Sequence, residues 1–90
     1  MLHSYISNKH ANLLVKTTDG GVEYMCLDNN ATLSVEGDAM DAEMHLNGVW
    51  LGTTERNEDD SYTVVFADGK EQIVGCGEDE FETFALSMLA

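Results

Sequence analysis

Ninety residues carry seventeen Asp or Glu against four Lys or Arg, a formal net charge of -13, and 43% of them are hydrophobic. That length makes one domain with a single modest core, and the apolar fraction excludes an acidic disordered tail, which lacks regularly spaced Val, Leu and aromatic residues. A field of this sign repels nucleic acid and anionic membrane and attracts basic surfaces; after Lys16 only Arg56 and Lys70 remain to neutralise phosphates.

Residues 1–10 read as a lead that frays or docks loosely, with Tyr5 and Ile6 available for an apolar contact. Leu13, Leu14 and Val15 place a strand over 11–17, Asp19, Gly20 and Gly21 supply a turn able to adopt positive backbone dihedrals, and 22–27 alternates as the return strand. Asp28, Asn29 and Asn30 make a second turn, because their short side chains can bond their own backbone. A third strand follows over 32–36, with Leu33 and Val35 on one face.

Gly37 breaks that pattern, and Asp38 can cap a short helix over 39–47 that ends at Asn47 and Gly48. Met40 and Met44 would then face the core, with Asp41 and His45 on the adjoining face. A hairpin loop without a helix is the alternative for the same residues. Val49, Trp50 and Leu51 open a strand to about Thr54, a charged loop runs over 56–60, and 62–67 returns as a strand. Asp68-Gly69 is the strongest local signal, the pair that a type I′ turn requires, and 70–76 is its partner strand. Over 78–90, Phe81, Phe84, Ala85, Met88 and Leu89 fall on one helical stripe. The expected fold is α+β: an antiparallel sheet of five to six strands, a short central helix, and a C-terminal amphipathic helix packed on one face.

Cys26 and Cys76 lie in or beside apolar strand patterns, which fits reduced, mostly buried thiols; a single bridge between them is the alternative. No secretory run opens the chain and no apolar stretch approaches the ~18 residues of a membrane span, so the expectation is a cytoplasmic protein.

Adjacent acids arise in so acidic a chain without catalytic purpose, and no serine elbow, Walker loop or dinucleotide fingerprint accompanies them. The chain reads as a non-enzyme without cofactor. Asp28, Asn29 and Asn30 do not continue into a calcium loop, Glu36, Asp38, Asp41 and Glu43 offer weak ion binding at most, and His3, His10, His45, Cys26 and Cys76 form no close two-ligand knuckle, so no metal is expected.

The remaining signal is interaction. Three acid clusters stand out: Glu36, Asp38, Asp41 and Glu43; then Glu55, Glu58, Asp59 and Asp60; then Glu78, Asp79, Glu80 and Glu82. Arginine pairs with carboxylate as it pairs with phosphate, so two clusters on one face would mimic nucleic-acid charge toward a Lys- and Arg-rich protein surface. Trp50 beside them is a candidate anchor. In size and charge alone the chain resembles the small acidic inhibitors by which phages and other mobile elements block restriction or CRISPR complexes. An acidic accessory or assembly subunit is the second reading, and a carboxylate-based enzyme the third. The acid-free 11–17 strand, if it is an edge, would also permit a homodimer.

Overall fold

The computed structural model describes residues 3–38 and 41–90. Eight antiparallel strands follow one another, β1 (His3–Ile6), β2 (Leu13–Thr18), β3 (Gly21–Cys26), β4 (Thr32–Gly37), β5 (Asp41–Leu46), β6 (Val49–Arg56), β7 (Tyr62–Phe66) and β8 (Glu71–Val74), and α1 (Glu78–Leu89) closes the chain. Each strand pairs with the next, so the sheet is a meander in the order β1 to β8. Laid flat, eight strands about 4.8 Å apart would span about 34 Å, more than the largest extent of 29 Å. The sheet is therefore coiled, and α1 fills its concave side.

Local chemistry makes the coil. A Cβ on Gly52 would stand 2.1 Å from the Val65 carbonyl oxygen, and one on Gly21 would stand 1.9 Å from that of Val35. Only glycine lets neighbouring backbones approach so closely at these corners. Beside Gly52 the β5–β6 register shifts, because Met44 faces Gly52 while His45 faces Trp50, leaving Leu51 as the extra residue of a bulge.

Leu13, Val15, Leu33, Met44 and Val64 point inward and are almost wholly buried, meeting Phe84, Ala85 and Leu89 of α1. Phe81 stacks on Tyr24 and meets the edges of Tyr62 and Phe84, so the expected helical stripe is the one that packs. Asn29 Nδ2 donates to the Leu89 carbonyl at 2.8 Å, satisfying an otherwise orphan acceptor at the helix C-terminus.

The α+β class, the antiparallel sheet and the C-terminal helix agree with expectation, whereas among the described residues the sheet has eight strands, not five to six, and no central helix is present. Residues 41–46 are β5. Ala42 and Met44 alternate with exposed Asp41 and Glu43, a period of two that pairs on both sides, while a two-turn helix would have had to stand on packing alone. Asn47 and Gly48, read as a helix end, have φ of 50° and 84° and form a type I′ hairpin turn. The expected inward position of Met40 lies outside the described residues. Conversely, within the β7–β8 link Gly69 alone has positive φ, and its N–H reaches the Phe66 carbonyl, so that hairpin is a three-residue loop rather than type I′.

The eighth strand is β1, which the fraying lead conceals: Tyr5 faces Val15 and Ile6 faces Leu14. This pairing covers β2, so the 11–17 segment has no open edge for the proposed homodimer; the edges are β1 and β8. Both cysteines are free; Cys26 is buried, but β8 ends at Val74 and Cys76 is exposed on the link to α1. No described helix is long and apolar enough to cross a membrane.

Candidate acidic interface

Connections of a meander alternate between its two ends. The β2–β3, β4–β5, β6–β7 and β8–α1 links therefore share one end, where Gly21, Asp38, Asp60 and Gly77 line a common space with the start of α1. Asp19, Asp38, Glu58, Asp59, Asp60, Glu78, Asp79 and Glu80 sit in those links and in the first helical turn. Glu36, Asp41 and Glu55 occupy the strand positions next to them, so eleven of the seventeen acids crowd this end. Arg56 is the one Lys or Arg there. The opposite end holds Asp28, Asp68 and Glu71 together with Lys9 and Lys70, so the charge is distributed as a dipole along the strands.

On the convex face, strand register makes a compact patch. Glu36 stands directly opposite Glu43 across β4 and β5, and Asp41 directly opposite Glu55 across β5 and β6. All four are exposed. Directly opposed side chains have Cβ atoms about 5 Å apart, and like charges so placed repel. Among the described residues the ion pair is Arg56 with Asp60, and no Lys or Arg pairs with any of these four acids. The sheet has thus joined most of the first acid cluster to one member of the second.

The other expected residues divide between structural work and exposure. Asp59 Oδ1 accepts from the Ser61 hydroxyl at 2.6 Å and the Ser61 N–H at 3.0 Å, contacts that hold its carboxyl below the usual carboxylate range, the hydroxyl contributing most. Asp60, with φ of 69°, accepts at Oδ1 from Arg56 Nε at 3.0 Å and from Nη2. Hydrogen bonding and charge at Asp60 raise the Arg56 pKa further. Glu58 is exposed on the same loop, and Glu78, Asp79 and Glu80 are exposed in the first turn of α1, where they interact favourably with the helix N-terminus.

Glu82 differs from its cluster. It is 3% exposed and accepts from the Tyr5 hydroxyl at 2.9 Å and the Ser7 hydroxyl at 2.6 Å, so it ties α1 to β1 and offers nothing to an outside partner. Its spacing of three and seven residues from Ala85 and Leu89 is the sequence signal for that inward position. Trp50 is 47% exposed on the convex face, beside the hairpin at the opposite end. It lies five positions along β6 from Glu55, about 16 Å, so it does not share the acidic footprint. His45, expected beside Asp41 on a helix, is about 13 Å from it along β5.

Among the described residues no three His, Cys, Asp or Glu side chains converge to hold a metal ion. Comparison of the chain with family models, with curated proteins and with solved structures finds no match in any of the three.

Proposed function

We propose that the chain is a non-enzymatic interaction protein whose acid-dense end and adjoining convex strip dock on a Lys- and Arg-rich protein surface, in competition with nucleic acid. The observation that carries this reading is the pair of like-charge contacts, Glu36 with Glu43 and Asp41 with Glu55, without a neutralising Lys or Arg among the described residues. Each opposed pair destabilises the free protein. A partner's guanidinium groups would relieve that repulsion by bonding two carboxylates at once. An inhibitor of a nucleic-acid-binding complex, of the anti-restriction or anti-CRISPR kind, acts by such occupancy in the cytoplasm, and needs neither cofactor nor metal.

Affinity capture from the native cell, at low and high salt, tests the reading when each captured protein is then assayed for nucleic-acid binding. The expected outcome is capture that weakens with salt, is lost by neutralising Glu36, Asp41, Glu43 and Glu55 together, and lowers the partner's affinity for nucleic acid. Capture that leaves this affinity unchanged would instead mark an accessory or assembly subunit.

A further inference from the structure

Beneath the acidic end, the concave side of the sheet holds a cavity of about 550 Å³, within the size range of small-ligand sites. One acid from each of the three clusters, Asp38, Asp60 and Glu78, reaches its lining, against the single guanidinium of Arg56. Separated in sequence, the clusters meet here. The cavity walls include the rings of Tyr24, Tyr62 and Phe81, with Phe81 stacked on Tyr24 and in a T-shaped pair with Tyr62.

Two polar side chains on this lining are more than nine-tenths buried: Thr54 is 4% and Tyr24 7% exposed. Among the described residues no buried side-chain nitrogen or oxygen is left without a partner, so these two hydroxyls are met by a neighbour or by solvent in the cavity. An occupant that displaces solvent from this space has to offer hydrogen-bonding atoms of its own to such hydroxyls. The requirements on an occupant follow from the lining. An anion would meet the carboxylates of Asp38 and Glu78 beside the already paired Arg56 and Asp60, and a hydrocarbon would leave the hydroxyls unmet. A cation on an apolar stem suits most of this lining: aromatic rings attract charge where a face is offered, carboxylates accept its N–H groups, and the apolar surface covers its methylenes.

We infer that this cavity receives an Arg or Lys side chain of the basic partner. The inference rests on the proposed function and names the point at which that partner inserts.

Titration of the 15N-labelled protein with Nα-acetyl-arginine amide, Nα-acetyl-lysine amide, neutral Nα-acetyl-norleucine amide and spermidine tests it, read at the Gly21, Gly37 and Gly77 amides around the cavity. Saturable shifts are expected with the two cationic amides and not with the neutral one. Glu78→Gln, on the exposed first turn, and the near-isosteric Thr54→Val should each weaken the response about threefold to tenfold. Glu71→Gln, exposed at the opposite end of the sheet, should leave it in place. Absence of saturable shifts at those amides, or equal shifts from the neutral amide, overturns the inference. Saturation by spermidine at lower concentration than either amide overturns the side-chain source in favour of a free polyamine. If cavity shifts are absent while capture of a nucleic-acid-binding partner persists and depends on the convex carboxylates, the insertion site fails and the proposed function stands. If capture also fails, both fall.

Discussion

Glu82 shows how one side chain changes meaning with its surroundings. In composition it is another acid of a polyanion, yet its carboxylate is buried between the hydroxyls of Tyr5 and Ser7 and fastens the helix to the edge strand β1. The proton on Tyr5 is held correspondingly tightly: burial, the bond to Glu82 and the charges of Glu82, Glu78 and Asp79 push its pKa from 10.0 up to about 12. Tyr24, deeper under the helix, is raised further, again chiefly by burial. Both shifts mean that the folded protein keeps these protons when the unfolded chain has lost them. Stability from them is complete below the ordinary tyrosine value of 10.0 and is lost as pH climbs toward about 12. Urea unfolding at stepped alkaline pH should show this fall, and Tyr5→Phe should make it shallower. A flat profile above pH 10.0 in the native sequence would refute the Tyr5–Glu82 contact.

At the scale of elements, the coil of the sheet depends on backbone contacts that exclude a side chain. Gly52→Ala would put a Cβ 2.1 Å from the Val65 carbonyl oxygen, and that atom is backbone, held by the β6–β7 ladder. Gly20→Ala meets nothing within 4 Å and has no positive φ to strain. Denaturant midpoints should therefore show a loss of at least about 2 kcal/mol for Gly52→Ala and almost none for Gly20→Ala. Equal effects would mean that the corner is not made by close approach.

Six strands and α1 were legible because alternation and the 81-84-85-88-89 spacing are local patterns. β5 was not, since Met40 and Met44 match a helix period while Ala42 and Met44 match a strand period, and Asn47-Gly48 punctuates either element. With β5 misread, the opposition of Glu36 to Glu43 and of Asp41 to Glu55 was invisible, because register exists only between strands. The acid clusters were visible as runs; their gathering at one end follows from the meander, which no single run encodes.

For the whole molecule, crowding most of the acids at one end sets stability against recognition. Self-repulsion among fixed charges weakens the free fold, and added salt screens it within a Debye length of about 10 Å at 0.1 M. The same salt screens attraction to a basic partner and slows association. Melting temperature should therefore rise with sodium chloride while partner affinity falls. An acidity that merely suits a salty interior would give a parallel rise in both. A single substitution separates the two terms at fixed salt. Glu43→Lys places a cation opposite Glu36 and beside Asp41 on the convex face, turning a repulsive cross-strand pair into an attractive one worth about 0.2–1 kcal/mol. Calorimetry should find this variant at least as stable as the native chain, and its low-salt association with a captured partner should be slower because the steering patch has lost two units of charge. A variant that gains stability and keeps its full association rate would remove the convex carboxylates from the docking surface.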